Sequence, residues 1–189
     1  MLNIVLFGPP GAGKGTQANK LIDKYGLTHV STGDIFRWHM KNDSPLGQKV
    51  KQIINDGNLV PDKITIAMLK EEVNKNPNSK GFLFDGFPRT VDQASALDNL
   101  MESLNSSIDR VIELEVSETE VRTRIAKRRE VEDRPDDEEE KLNKRISEYF
   151  DKTIHVLPYY REQGRLASIS GVGEIEAISQ ELVGIIDQL

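Results

Sequence analysis

The chain has 189 residues, of which 37% are hydrophobic and 30% are charged, and its formal net charge is −6. This composition is typical of one globular α/β domain and argues against a disordered or fibrous chain. The negative charge argues against general binding to nucleic acids or anionic membranes, which requires a basic surface. Because the chain has no cysteine, disulfide bonds and thiolate ligation of zinc are excluded.

Strands and helices are predicted to alternate along the chain. Apolar runs rich in β-branched and aromatic residues predict strands over Asn3–Phe7, Thr28–Ser31, Phe82–Asp85, Arg110–Val116 and Leu166–Ser170. Between them, helices are predicted over Gly15–Lys24, Pro61–Asn76, Thr90–Ser103, Glu118–Arg129, Asp137–Gln163 and Glu174–Leu189. Strands joined through helices imply right-handed crossovers, so we predict an α/β three-layer sandwich with a five-stranded parallel sheet. Such sheets bind ligands at the carboxyl ends of their strands.

A glycine-rich loop follows the first strand and opens the first helix. Its sequence, GPPGAGKGT over Gly8–Thr16, is that of a phosphate-binding P-loop. The glycines allow backbone N–H groups to approach an anion, and the helix N-terminus adds the positive end of a dipole. Lys14 is placed to reach the β- and γ-phosphates, and Thr16 to reach the phosphates or Mg²⁺. The loop departs from the general motif because Gly15 separates the lysine from Thr16.

The second strand leads into a long excursion from the predicted core. Ser31-Thr32-Gly33-Asp34 follows this strand, with Arg37 close behind, although its polar residues also suit a helix cap. The segment Thr32–Val60 is interrupted by glycine and proline. We therefore interpret it as a small helical insert over the sheet.

The third strand is followed by Asp85-Gly86-Phe87-Pro88-Arg89-Thr90, with Gln93 further into the next helix. An acidic residue at a strand end beside a P-loop is placed to order the waters around Mg²⁺. Glycine permits a close backbone approach, and Pro88 fixes the turn that aims Arg89. Each feature alone is also compatible with an ordinary turn.

Arginines are concentrated further along the chain. Arg124 and Arg128 share a helical face, and the charged turn RREVEDR leads to Arg134, which precedes Arg145 by about three helical turns. A solvated basic face is the ordinary explanation of such a cluster. In an acidic chain, however, the cluster favours phosphoryl transfer, which needs guanidinium groups around the moving phosphoryl.

Together these motifs resemble the adenylate kinases, in order and across nearly the whole chain. The matching segments are GPPGAGKGTQ, STGD with Arg37, GFLFDGFPRT with Gln93, and DRPDD with Arg145. The DGFPR segment is specific to nucleoside monophosphate kinases, and Lys14-Gly15-Thr16 is the form of the P-loop found in them. The resemblance implies reversible phosphoryl transfer from MgATP to AMP, giving two ADP, by a monomeric enzyme.

The resemblance also implies a role for each matching residue. The ATP site would comprise Gly11, Ala12, Gly13, Lys14, Gly15, Thr16, Arg124 and Arg128. The AMP site would comprise Thr32, Arg37, Ile54, Val60, Gly86, Arg89, Gln93, Arg134 and Arg145. The catalytic residues would be Lys14, Arg89, Arg124, Arg134 and Arg145. Mg²⁺ would be oriented through water by Asp85 and Asp34, together with Thr16.

A single kinase domain is expected, divided as in the short-lid members of the family. Its core would span 1–30, 61–127 and 135–189, with a monophosphate-binding insert over 31–60 and a short lid over 128–134. Longer bacterial members carry an inserted lid domain, sometimes with four zinc ligands. The short interval and the absence of cysteine predict no zinc here, so Mg²⁺ with ATP is the expected cofactor.

A cytoplasmic location without membrane association is expected. No apolar stretch approaches the length of a membrane span, and Leu2–Phe7 runs straight into the glycine loop without a leader-like segment.

Three alternatives stay open at this point. The nearest is a short-lid UMP/CMP kinase, which Thr32 and Thr90 argue against because the pyrimidine enzymes typically have alanine and asparagine there. A P-loop ATPase or GTPase switch would need a guanine-reading motif or a water-positioning residue, and it would leave the arginines unexplained. A non-catalytic nucleotide-binding module would be expected to lack some of the charged positions.

Overall fold

The computed structural model describes residues 1–130 and 138–189, and its five parallel strands form one sheet. The strand order is β2-β3-β1-β4-β5. The strands are β1 (Ile4–Phe7), β2 (Thr28–Ser31), β3 (Phe82–Asp85), β4 (Arg110–Glu115) and β5 (Leu166–Ser170). In the register, Ile4 of the central strand pairs with Leu83 on one side and Arg110 on the other. The predicted parallel sheet is confirmed, and each strand ends within one residue of its predicted bounds.

Helices connect the strands. Before β3 these are α1 (Lys14–Tyr25), α2 (Thr32–Lys41), α3 (Pro45–Asn55) and α4 (Asp62–Asn74). After β3 they are α5 (Val91–Ser103), α6 (Glu118–Arg129), α7 (Glu139–Asp151), α8 (Val156–Glu162) and α9 (Ile175–Ile186). Within the described residues, none of these helices combines the length and apolar character needed to cross a membrane.

The central strand shows why the sheet is covered on both faces. Ile4 and Leu6 pack with residues of α1, α6 and α9, whereas Val5 and Phe7 pack with residues of α4, α5 and α8. All four side chains are at most 4% exposed. Since successive side chains of a strand point to opposite faces, a strand that is apolar throughout requires a helical layer on each side. The three-layer sandwich predicted from the sequence is therefore present.

The prediction of one continuous helix over Asp137–Gln163 is wrong. Its first residue lies outside the described residues, and the rest divides into α7, a 3₁₀ turn over Thr153–His155, and α8. Pro158 explains the break because its ring would collide with the carbonyl of Ile154 in a continuous helix. At the third position of α8 the missing N–H has no consequence, because the first N–H groups of a helix lack intrahelical partners.

The excursion after β2 is largely helical and contains α2 and α3. Helices α2 and α3 share a small apolar cluster with α4, made of Phe36, Val50, Val60 and Met68, which is separate from the clusters on the two faces of the sheet. The division of the chain into core, insert and lid stays a prediction, and most of the proposed lid lies outside the described residues.

We expect Gly47→Ala to destabilise the insert. A Cβ on Gly47 of α3 would lie 2.1 Å from the carbonyl oxygen of His39 in α2, and such a contact would force the two backbones apart. The free energy of unfolding should fall by about 1–3 kcal/mol, measured by urea denaturation. Gly184→Ala in α9 is the matched control, because a Cβ there meets no heavy atom within 4 Å. The control should be stabilised by about 0.5–1 kcal/mol, and equal destabilisation of both variants would contradict the assignment.

Candidate functional site

A cleft of about 550 Å³ lies at the carboxyl ends of β1 and β3. Its volume is within the range typical of small-molecule sites. A smaller cavity adjoins it, and both cavities are lined by Arg37, Arg89 and Arg145. The position agrees with the general rule for ligands of parallel sheets.

The P-loop forms one wall of the cleft, which it lines from Gly11 to Thr16. Gly13 precedes the first turn of α1 with φ of 90°, a conformation that glycine adopts without strain. That first turn contains no acidic residue, so the positive end of the helix dipole is not neutralised within it. A glycine turn that leads into a helix N-terminus in this way is suited to bind an anion.

Lys14 is folded over the loop from which it projects. Its Nζ donates to the carbonyl oxygens of Gly8 and Pro9 at 2.8 and 3.0 Å. Burial lowers its pKa from 10.5 to about 8; the negative charge of Asp85 opposes this shift, and Arg89 adds to it. At neutral pH a phosphate that entered the cleft would therefore meet a lysine that is mostly in its ammonium form.

This pKa predicts a pH dependence. Below about pH 8 the ammonium form of Lys14 can bind a phosphate, whereas above it the neutral amine cannot. We therefore expect kcat/KM for the phosphate donor, which reports ionisation of the free enzyme, to fall about tenfold per pH unit above that point. Lys14→Arg is the control, since its guanidinium stays charged and its profile should be flat in this range. A flat profile for the unmodified protein up to about pH 10 would contradict the role given to this ionisation.

The smaller cavity is lined by both apolar and charged residues. The apolar ones are Phe36, Ile54, Leu59 and Val60. Gln93 also lines this cavity and is only 2% exposed. Arg37, Arg89 and Arg145 line it as well. A cavity with both kinds of lining suits a ligand that combines a flat base with a phosphate.

The carbonyl of Gly86 connects the insert to the turn after β3. It accepts from Thr32 Oγ1 and from Arg89 Nε, both at 2.8 Å. Gly86 has φ of 75°, and a Cβ there would lie 2.9 Å from the Thr32 hydroxyl oxygen. Glycine is therefore required for α2 and Arg89 to meet at this point.

Arg124 joins two loops at the edge of the cleft. Its Nη2 donates to the carbonyl of Gly171 after β5 at 2.9 Å, and its Nη1 to that of Ala12 at 3.4 Å. Its Nε donates to Glu120 at 2.6 Å. Arg128 also lines the cleft, whereas the predicted site residue Arg134 lies outside the described residues.

Oxygen ligands suitable for a hard cation also face the cleft. Asp85 and Thr16 line it, as does Asp34, which forms an ion pair with Arg37. Burial raises the pKa of Asp34, but hydrogen bonding and charge from Arg37 outweigh it, so the pKa is held below its ordinary value. No group of three or more His, Asp or Glu in the described chain could hold a metal by itself. This donor set fits Mg²⁺, which is typically held by one or two carboxylates together with water and substrate phosphates.

Comparison with known proteins decides the family. A sequence profile of adenylate kinase matches residues 6–165. The chain belongs to the adenylate kinase family. It is 48% identical over 190 residues to the adenylate kinase of Flavobacterium johnsoniae and 47% identical to that of Flavobacterium psychrophilum, with both proteins covered completely in each comparison. It is also 44% identical to the adenylate kinase of Cyanothece sp., covering all of this chain and 97% of the relative.

The adenylate kinase resemblance drawn from the sequence is thereby confirmed. None of these three relatives is named as a UMP/CMP kinase, so that alternative receives no support. Every predicted site residue within the described chain lines one of the two cavities. The roles given to these residues, and the absence of zinc, stay predictions.

Several residues that line the cavities were missed by sequence reasoning. Phe36 and Thr65 border the smaller cavity, and His29 and Tyr149 border the cleft. Phe36 alone had a usable signal, because it follows Thr32 by four residues on one face of α2. The other three are brought to the site by tertiary packing, and nothing in the local sequence marks them.

Proposed function

We propose that the protein is an adenylate kinase that reversibly transfers the γ-phosphoryl group of ATP to AMP and forms two ADP. The observation that carries the proposal is the sharing of Arg37, Arg89 and Arg145 by the P-loop cleft and the smaller cavity. A donor phosphate on the P-loop and an acceptor phosphate in the smaller cavity would meet at these guanidinium groups.

The donor ATP is held by the P-loop. The N–H groups from Gly11 to Thr16 surround its phosphates, Lys14 contacts the β- and γ-phosphates, and Arg124 and Arg128 lie beside them. Gly15 supports this assignment, because a Cβ there would meet no protein atom within 4 Å. Packing of the described chain therefore does not require glycine at position 15. The close approach of a phosphate to the backbone would explain why a residue without a side chain lies there.

The acceptor AMP occupies the smaller cavity. Ile54 and Val60 contact the base with Gln93, while Thr32 and Gly86 hold the position of the turn that carries Arg89. Arg37, Arg89 and Arg145 bind the phosphate as charge-assisted donors. The deeply buried amide of Gln93 and the half-buried arginines give the base and the phosphate of AMP partners of matching polarity.

Catalysis consists of positioning and charge stabilisation. An oxygen of the AMP phosphate attacks the γ-phosphorus in line, so that no residue forms a covalent bond with the phosphoryl group. Lys14, Arg89, Arg124, Arg134 and Arg145 stabilise the charge that develops in transfer. Asp85, Asp34 and Thr16 would hold Mg²⁺ through water, and the bound ion supplies neutralisation of the β- and γ-phosphate charge.

Residues 128–134, of which 131–134 lie outside the described residues, are assigned to a short lid, and residues 31–60 to the monophosphate-binding insert. Water must be excluded during transfer, since it would otherwise accept the phosphoryl group. The enzyme works as a cytoplasmic monomer on ATP, AMP and ADP, without nucleic-acid or membrane partners. The acidic net charge supports the expectation that it does not bind nucleic acids or anionic membranes.

A comparison of acceptors tests the proposal. ADP formation from ATP should be measured with AMP, UMP, CMP and GMP offered separately. We expect AMP to be preferred by about 10²-fold or more in kcat/KM, because a site that hydrogen-bonds the base discriminates strongly. Activity with a pyrimidine monophosphate alone would contradict the proposal, as would ATP hydrolysis without any acceptor.

A further inference from the structure

Asp62, a residue that the motifs did not single out, is hydrogen-bonded to Gln93, which lines the smaller cavity. It is the first residue of α4 and follows Pro61, a position where an acidic side chain ordinarily complements the helix dipole. Here both carboxylate oxygens reach across to the start of α5 instead. Oδ2 accepts from Thr90 Oγ1 at 2.7 Å, and Oδ1 accepts from Gln93 Nε2 at 2.8 Å.

These contacts determine which way the Gln93 amide faces. An ionised carboxylate can only accept hydrogen bonds, so the NH₂ group of Gln93 must face Asp62. On the other side, the backbone N–H of Arg89 can only donate, and it bonds to Gln93 Oε1 at 2.8 Å. Exchanging the oxygen and nitrogen of this nearly inaccessible amide would place acceptor against acceptor and donor against donor.

A fixed amide can distinguish between purine bases. Adenine presents a 6-amino donor beside a ring-nitrogen acceptor on its Watson–Crick edge, whereas a 6-oxopurine presents the reverse pattern. The amide of Gln93 has one further N–H and a further lone pair on its oxygen. For a base held in one pose by its ribose and phosphate, an amide fixed in one orientation can therefore pair with only one of the two patterns. The proposed AMP acceptor assigns the observed orientation to adenine. If the amide could turn over, the same side chain would match a 6-oxopurine equally well.

We propose that Asp62 is a positioning residue that sets acceptor specificity by locking the Gln93 amide in the orientation that accepts adenine and rejects 6-oxopurines. Asp62 does not line either cavity, so it acts through Gln93 and not by contact with the base. This role rests on the proposed function, because it assigns Gln93 to the base of the acceptor nucleotide.

Thr90 is part of the same hydrogen-bond network. Its hydroxyl donates to Asp62 Oδ2 and also accepts from the backbone N–H of Gln93 at 3.1 Å as the N-cap of α5. The hydroxyl thereby ties the carboxylate to the helix that carries the glutamine. Thr90 lines neither cavity, so it acts on Asp62 and not on the base.

The test is the ratio of kcat/KM for AMP to kcat/KM for IMP, the matching 6-oxopurine monophosphate, measured for purified Asp62→Ala with ATP as donor. We expect the ratio to fall by about tenfold or more, in line with the loss of a hydrogen bond to a charged group, while KM for ATP is unchanged. Some discrimination should persist because the Arg89 N–H remains. The ratio compares two substrates of one preparation, so a loss of folded protein cancels from it.

Two comparisons separate this role from a merely structural one. Asp92→Ala removes an exposed acidic residue from the first turn of α5 and should leave the ratio unchanged. Thr90→Val should lower the AMP-to-IMP ratio. Thr90→Ser keeps the hydroxyl, so its ratio should stay near that of the unmodified enzyme. An Asp62→Ala ratio equal to that of the unmodified enzyme would overturn the role of Asp62 alone. Absence of AMP turnover by the unmodified enzyme would instead overturn the proposed function.

Discussion

Replacement of Lys14 by alanine should reduce the rate of ADP formation by about 10³-fold or more while the protein still folds. The amine is held over the P-loop by two carbonyl oxygens, where it would contact the phosphates between which the bond breaks. Its loss removes a positive charge from the site, and charge stabilisation is a large contribution to phosphoryl transfer. Rates should be measured at saturating ATP and AMP, and the fold should be checked by thermal unfolding.

Lys24→Ala is the matched control for this variant. Lys24 lies on the same helix, but its ammonium group is exposed and lies 3.4 Å from Asp187. An exposed ion pair of this kind contributes little to stability, so turnover and unfolding should both stay near those of the unmodified enzyme. Unchanged turnover in Lys14→Ala would remove this lysine from the mechanism.

Replacement of Arg89 by alanine should weaken AMP binding far more than ATP binding. Arg89 lines both cavities, and its Nε donates to the Gly86 carbonyl, which fixes the guanidinium group at their junction. Loss of a bidentate contact with the acceptor phosphate should cost about 2–4 kcal/mol. Isothermal titration with AMP and with ATP separately would measure the two affinities.

Arg122→Ala provides the control for the arginine variant. Arg122 is paired with Glu118 on the surface of α6 and lines neither cavity, so both affinities should be retained. Equal loss of AMP and ATP affinity in Arg89→Ala would contradict its assignment to the acceptor.

Much of the fold could be predicted because the pattern of apolar residues in the strands matches the burial that the sheet imposes on them. The central strand is apolar on both faces and buried on both, as expected of an interior strand of a parallel sheet. The break between α7 and α8 was missed even though Pro158 marks it. The residues before and after Pro158 all suit a helix. Two helices are predicted instead of one only if the proline is recognised as a residue that cannot lie inside a continuous helix.

The site could be predicted to the extent that motifs lie next to strand ends. Lys14 and Arg89 follow β1 and β3 closely, and the sheet brings them together whatever the details of packing. Asp62 could not be found in this way. An acidic residue at the start of a helix has an ordinary explanation, and only the tertiary contact between α4 and α5 shows that it faces Gln93.

The most direct test of the central claim follows the phosphoryl group itself. Phosphorus NMR of the purified protein with ATP, Mg²⁺ and AMP should show two ADP formed for each ATP consumed, with no inorganic phosphate, and ADP alone should regenerate ATP and AMP. Removal of AMP should stop ATP consumption. Release of inorganic phosphate at the same rate without AMP would contradict the account, because the two cavities would then not serve a donor and an acceptor.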